Sequence, residues 1–275
     1  MTTPVRPGRR TLRARLLAFI ADATGRLTTI WRLLTRAQTT LLRALAAIRP
    51  GRNATSRIRT AEQAFRRALA QYARDLTAFI ERWAATDLPI AYRDGALTTL
   101  DHARRPHTLW SWTPTHQGAI TTLSAQFYSD LTGRLRDTLR RAEAFLRAAL
   151  AAARARATRF DPAPFRPAAL RREHPLDTVL YAGNRRHPVE AWARAALTWQ
   201  AVTTANTGSI LTAAEQLACT HVEVRDGAGC GWTSHQDPDT ADGTLRTISD
   251  ALAHPTAHPH CIREMRPHLG TPGSP

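Results

Sequence analysis

Apolar residues recur at helical spacing through three long stretches of the first 160 residues. Leucine, isoleucine and phenylalanine follow one another every three or four positions over about residues 9–48, 58–86 and 116–158, and arginine occupies many of the positions between them. A repeat of this period is that of an amphipathic helix, which buries one stripe of its surface and exposes the other. The pattern therefore predicts three long helices with basic outer faces.

Proline and glycine mark the ends of these predicted helices. Pro50 and Gly51 follow the first helix, and Pro89 disfavours a helical conformation for the residue before it. We therefore expect the second helix to end before Asp87. The residues at about 86–115 are expected to form a packed connection of mixed structure.

A proline-rich segment separates this helical region from the last hundred residues. Pro162, Pro164, Pro167 and Pro175 lie within residues 161–175. Closely spaced prolines stiffen a chain and interrupt regular structure. We interpret this segment as a stiff linker and as the main domain boundary of the chain.

Beyond the linker, the pattern changes to short strands and one further helix. A strand is expected at about 177–181, and a helix at about 189–218. Gly208 lies inside that helix, where it costs about 1 kcal/mol relative to Ala and is best explained by close packing.

The predicted fold class is therefore α+β and mostly α, with a long basic helical N-terminal region followed by a small C-terminal α+β domain. The expected divisions of the chain are a helical arm at 1–160, the linker at 161–175, the α+β domain at 176–267 and a disordered tail at 268–275.

Charge is distributed unevenly along the chain. All 38 basic residues are arginine and 22 residues are acidic, for a formal net charge of +16. Residues 1–175 carry 31 of the arginines against 12 acidic residues. Arginine binds phosphate through two parallel hydrogen bonds and stays charged at any working pH, so the basic region predicts contact with double-stranded DNA. The candidate phosphate-contacting residues lie on the third predicted helix: Arg140, Arg141, Arg147, Arg154 and Arg156.

Cysteine and histidine cluster towards the end of the chain. Cys230 and His235 form a Cys-x4-His motif, and His258 and Cys261 form a His-x2-Cys motif. Thiolate and imidazole are ligands that zinc prefers, and a loop-rich segment with a small core gains stability from a metal. These four residues are a candidate structural zinc site. In the alternative interpretation, the cysteines are small buried apolar residues and the histidines bond to turns, as we expect for the buried Cys219.

Several motifs of common enzymes do not occur in this sequence. It contains no lysine for a Gly-x4-Gly-Lys phosphate loop, no Gly-x-Ser-x-Gly, and no asparagine after Asn206 to complete a His-Asn-His nuclease. We therefore expect no enzymatic activity. No apolar run approaches 18 residues, so no transmembrane helix is predicted, and three irregularly spaced cysteines favour a reducing cytosolic setting.

The segment at 220–267 has a distinctive order of parts. It reads Val-x-Val-x-Asp-Gly from Val222, Cys-Gly-Trp-x-x-His from Cys230, Asp-Pro-Asp from Asp237 and His-Pro-His-Cys from His258. We call this segment the terminal signature. Its order resembles the C-terminal signature of MuF-type minor head proteins, the minor capsid proteins of tailed phages.

The resemblance extends over about residues 176–267 and departs from the family pattern at two places. His260 stands where the family has Asn before the last Cys, and Ile262 where it has Arg, with Arg263 one place later. The resemblance implies a structural virion component that is made in the bacterial host cytoplasm. It also implies association with the portal or major capsid protein during head assembly.

Two other classes of protein remain open at this point. The basic half alone would suffice for a DNA-binding protein that is independent of any virion. A basic amphipathic helix at 9–48 could instead lie on a membrane surface. No small-molecule substrate is expected in any of the three classes.

Overall fold

The computed structural model describes residues 11–157, 164–181, 185–226 and 242–270. Its fold is α+β and mostly α, as predicted. The helices are α1 Leu12–Ala46, α2 Ala54–Arg82, α3 Leu88–His102, α4 Pro114–Ala157, α5 Pro167–Glu173, α6 Val189–Leu217 and α7 Ile248–Ala253. The strands are β1 Thr178–Leu180, β2 Arg186–Pro188, β3 His221–Arg225, β4 Leu245–Thr247 and β5 Glu264–Pro267.

The long helices lie where the apolar period places them. The bounds of α1, α4 and α6 differ by no more than a few residues from the predicted ones, and α2 occupies most of its predicted range. Within the described ranges, every helix is too short or too polar to span a bilayer. The clear 3.6-residue repeat explains this agreement, since it is a local signal that depends on neighbouring positions alone.

The prediction of mixed structure at 86–115 missed a helix. A π-helical turn at Trp83–Asp87 leads from α2 directly into α3. Pro89 lies in the first turn of α3, where its missing N–H group would have no partner in any helix. Leu88 and the residues that follow it at intervals of four are fully buried, so α3 is held by the core on that side.

The predicted linker at 161–175 also contains regular structure. Pro167–Glu173 forms α5, with Pro167 at its start and Leu170 buried. Proline is favoured in the first turn of a helix, which explains why this proline-rich segment includes one. Residues 161–163 lie outside the described residues, as do 271–275 of the expected tail.

The chain forms two compact units that each combine distant parts of the sequence. The first unit takes described residues from Met1–Thr24, Trp83–Phe127 and Arg194–Pro275. The second unit takes them from Gly25–Arg82 and Tyr128–Ala193. Both units thus join part of the expected arm to part of the expected terminal domain, because α1, α4 and α6 run across the unit boundaries. This division differs from the serial one drawn from the sequence.

The first unit contains a three-stranded antiparallel sheet in the order β4-β3-β5. Val222 and Val224 of β3 face a small core with Cys219 and Met265. This alternation is that of a strand with one buried face, and the buried position expected for Cys219 is confirmed.

Helices α3 and α6 approach each other closely through two glycines. A Cβ atom added to Gly95 would lie 1.9 Å from the carbonyl oxygen of Ala205, and one added to Gly208 would lie 2.3 Å from that of Tyr92. Neither distance is possible for a real side chain, so both positions require glycine. The close packing predicted at Gly208 is confirmed.

Aromatic side chains fill the core of the second unit. Trp31 lies 5.7 Å from Tyr72 and 5.8 Å from Trp192, measured between ring centroids, and Phe65 lies 5.6 Å from Phe145. The short strands β1 and β2 of the same unit pair antiparallel. Tilted and edge-on contacts at these distances are the arrangements that aromatic rings prefer.

Candidate functional site

Two distant parts of the terminal signature meet in a buried ion pair. Arg263 donates from Nε and Nη2 to the two carboxylate oxygens of Asp226, at 2.6 and 2.9 Å across 37 residues of sequence. The Arg263 side chain is fully buried and that of Asp226 is 9% exposed. Asp226 follows β3 and Arg263 precedes β5, and these two strands pair antiparallel with Arg225 opposite Glu264. The register of the sheet therefore brings the two charges together.

Further hydrogen bonds hold the backbone around this pair. Asn206 of α6 donates from Nδ2 to two backbone carbonyls of the terminal signature, one of them that of Arg263 at 3.0 Å. Arg13 of α1 donates to the carbonyl oxygens of Asp226 and Ile262. The ends of β3 and β5 are thus fixed from two helices, which makes the ion pair the centre of a polar network.

Two of the four candidate zinc ligands lie beside this network. Cys261 is fully buried, and its Sγ lies 3.8 Å from a carboxylate oxygen of Asp226. His258 is buried and accepts a hydrogen bond at Nδ1 from a backbone N–H group two residues along the chain. Cys230 and His235 lie outside the described residues. No three potential metal ligands come together within the described ranges, so zinc binding stays a prediction.

Three of the five candidate phosphate-contacting arginines are exposed on α4. Arg140 lies 3.3 Å from Asp137 and Arg154 lies 4.0 Å from Glu62, with 78% and 65% of the two arginine side chains exposed. Arg147 is also exposed. Exposed pairs of this kind contribute little to stability and can exchange their partner for a phosphate.

The other two candidates bind the backbone of the protein itself. Arg141 donates to the carbonyl oxygens of Pro175 and Thr178, and Arg156 donates at 2.8 Å to that of Ala46. Burial lowers the pKa of the Arg141 guanidinium. Ala46 is the last residue of α1, so Arg156 satisfies a carbonyl that a helix end leaves open. The fold occupies both guanidinium groups, which leaves the three exposed arginines as candidates for DNA contact.

A polar cleft of about 730 Å³ opens in the first unit. Arg15, in its lining, binds Asp94 at 3.0 Å. Glu264, in its lining, contacts His102 at 3.2 Å and Arg266 at 3.3 Å. Because these opposite charges already neutralise one another, the cleft offers a charged ligand little net attraction.

A buried histidine in the first unit was not indicated by the sequence pattern. His116 is fully buried, and its Nδ1 lies 2.8 Å from the hydroxyl oxygen of Tyr92. Burial lowers the pKa of His116, while Gln216 and Glu215 oppose that shift. Burial also raises the pKa of Tyr92, so it disfavours a charge on either partner of this hydrogen bond between α3 and α4. A contact across 24 residues and two helices leaves no periodic signal that could have identified it.

Buried charged and polar groups occur in structural networks as well as in functional sites. The chain matches no family model, no curated protein and no solved structure. Its function is therefore inferred from three properties of the chain: the order of the terminal signature, the network around Asp226 and Arg263, and the distribution of exposed arginine.

Proposed function

We propose that this chain is a structural minor head protein of a tailed phage. In this role it associates with the portal or major capsid protein during head assembly in the host cytoplasm, becomes part of the virion and contacts the packaged double-stranded DNA. The single observation that carries the proposal is the terminal signature, whose order resembles that of MuF-type minor head proteins.

The tertiary arrangement of the signature supports this proposal. Its first described part, β3, pairs with its last, β5, and the buried contact of Asp226 with Arg263 joins the same two ends. The two described ends of the signature therefore belong to one folded unit.

The charge of the chain supports the DNA contact in the same role. A formal net charge of +16 attracts polyanions, and arginines such as Arg140 and Arg147 are exposed on α4. Neutralisation of phosphates by arginine is independent of base sequence, as contact with a whole packaged genome requires.

The fold disfavours the membrane-surface alternative. A helix that binds a membrane surface must expose its apolar face. The apolar stripe of α1 is instead buried, with no more than 3% exposure at seven positions: Leu12, Leu16, Ile20, Leu27, Leu34, Leu41 and Leu45. A DNA-binding protein outside any virion is the alternative that an assembly experiment must exclude.

The test is co-assembly of the full chain with the portal and major capsid proteins encoded beside its gene. We expect the chain to co-sediment with purified heads in a few copies per particle. Co-sedimentation with empty heads should persist after nuclease has removed any remaining DNA. Arg263→Ala, which leaves a buried carboxylate without its partner, should reduce incorporation, whereas Arg147→Ala should not. Association that disappears with nuclease would instead support a DNA-binding protein, and sedimentation with anionic liposomes alone would support a membrane-surface protein.

A further inference from the structure

A second cleft, of about 400 Å³, lies between α1 and α5 in the second unit. Its described lining residues are all of polar or charged types, and they include Arg36 and Arg43 of α1, Arg171 of α5 and a single acidic residue, Asp177. Pockets for drug-like molecules are lined mostly by apolar and aromatic side chains. The α1–α5 cleft therefore has the composition of a site for an anion.

The three arginines of this cleft come from two different helices. Arg36 and Arg43 are seven residues apart on one face of α1, a distance of about 10.5 Å along the helix axis. Arg171 comes from α5, and its Nη2 donates at 2.7 Å to the hydroxyl oxygen of Thr39, which lies between the other two on α1. Gln38 donates at 2.7 Å to the carbonyl oxygen of His174 and so holds the end of α5 against α1.

The charge of the α1–α5 cleft is available to a ligand. All three guanidinium groups belong to exposed residues. Among the described residues, no carboxylate lies within ion-pairing distance of Arg36, Arg43 or Arg171. The larger cleft of the first unit differs in this respect, since Arg15 and Arg266 of its lining are paired with carboxylates. An incoming anion would therefore meet more uncompensated positive charge in the α1–α5 cleft than in the larger one.

We infer that the α1–α5 cleft binds the phosphodiester backbone of duplex DNA. Guanidinium groups bind phosphate oxygens through two parallel hydrogen bonds. The spacing of Arg36 and Arg43 is about three times the axial distance of about 3.4 Å between phosphates of one strand. No aromatic side chain is among the described residues that line the cleft, so it offers no surface for stacking bases and reads no sequence. The inference rests on the DNA contact in the proposed function and gives that contact a location.

The test compares two triple variants of the full chain with the same net charge. The first carries Arg36→Gln, Arg43→Gln and Arg171→Gln. The second carries Arg57→Gln, Arg59→Gln and Arg67→Gln, which change exposed arginines of α2 in the same unit. Thermal unfolding of both should stay close to that of the original chain, because all six positions are exposed and the hydrogen bond from Arg171 to Thr39 is itself exposed to solvent.

Affinity is measured for two unrelated DNA duplexes over a range of salt concentrations. We expect the cleft variant to lose on the order of a hundredfold in affinity at about 0.1 M salt, with a salt slope smaller by about 0.9 for each lost phosphate contact. The α2 variant should lose much less, and the two duplexes should behave alike. Equal losses in the two variants, or no loss in the cleft variant, would overturn the inference, because diffuse charge would then explain DNA binding.

Inorganic phosphate and vesicles of anionic phospholipid distinguish other sources of the same chemistry. We expect millimolar phosphate to compete only weakly with duplex DNA, and vesicles to bind both triple variants equally. Strong competition by phosphate would assign the site to a free anion. Vesicle binding that only the cleft variant loses would assign it to a lipid headgroup.

Head assembly separates this inference from the proposed function. A chain that binds DNA through the cleft but never enters heads would refute the head-protein role and leave the cleft assignment intact. If the chain enters heads but the cleft variant binds DNA normally, the cleft assignment is refuted and the head-protein role is left intact.

Discussion

Arg263 donates hydrogen bonds to both carboxylate oxygens of Asp226, although 37 residues separate them in sequence and both residues are buried. In the family that the terminal signature resembles, the arginine directly follows the last cysteine. In this chain Ile262 occupies that place, and Arg263 makes the buried contact one position later. The departure noted in the sequence therefore falls next to the residue that joins the two ends of the signature.

Removal of one partner from this pair should strongly destabilise the protein. We expect Arg263→Ala to lower the free energy of unfolding by about 3–5 kcal/mol, because the Asp226 carboxylate would stay buried without its counter-charge. Arg266→Ala is the matched control, since its ion pair with Glu264 is partly exposed and worth about 1 kcal/mol or less. Denaturant unfolding measures both. Similar losses in the two variants would contradict a special role for the buried pair.

The crossing of α3 and α6 should not tolerate a single added methyl group. We expect Gly95→Ala and Gly208→Ala each to lower the free energy of unfolding by about 2 kcal/mol or more, because the new Cβ would overlap a backbone carbonyl of the other helix. Gly133→Ala on α4 meets no atom within 4 Å and should stabilise the protein by up to about 1 kcal/mol. Thermal unfolding of the three variants checks the opposite signs.

Two arginines of α4 should differ in how much they contribute to the stability of the fold. Arg141→Ala removes hydrogen bonds to Pro175 and Thr178, and we expect it to lower the free energy of unfolding by about 1.5–3 kcal/mol. Arg147→Ala should change stability by no more than about 0.5 kcal/mol, because that residue is exposed. Equal stability of the two variants would show that Arg141 is not needed to hold β1 against α4.

Acid should destabilise the first unit through His116. Burial lowers the pKa of this histidine below its ordinary value of 6.5. As the pH falls through that value, the unfolded chain takes up the proton before the folded one, so stability is lost and levels off below the folded pKa. We expect the midpoint temperature of thermal unfolding to decrease as the pH is lowered from about 7 to about 5. The decrease should be smaller in His116→Gln. An undiminished fall would assign the effect to other groups such as His102, whose pKa burial also lowers.

The zinc interpretation makes a quantitative prediction for the cysteines. If Cys230, His235, His258 and Cys261 hold one ion, the purified full chain should contain about one equivalent of zinc and unfold at lower temperature with chelator. Cys261→Ser should then cost several times more unfolding free energy than Cys219→Ser, since only the first removes a ligand. If the purified protein contains no metal and chelator does not change its unfolding, the four side chains only pack and form hydrogen bonds.

Sequence alone determined the features that depend on neighbouring positions. The repeat of apolar residues located α1, α2, α4 and α6, and the short apolar run at about 177–181 located β1. A glycine inside a helical repeat indicated the close approach at Gly208. These signals are local, because a helix or strand exposes one face and buries the other at a fixed period.

Only the tertiary structure decided which polar residues serve the fold. Arg141 and Arg147 look alike in sequence, yet one binds the backbone near β1 and the other is exposed. The pairing of Asp226 with Arg263 required the register of two strands, and the α1–α5 cleft required a helix inside a segment that looked like a linker. Each of these depends on contacts between positions far apart in the chain, and a repeat of a few residues carries no information about which distant positions meet.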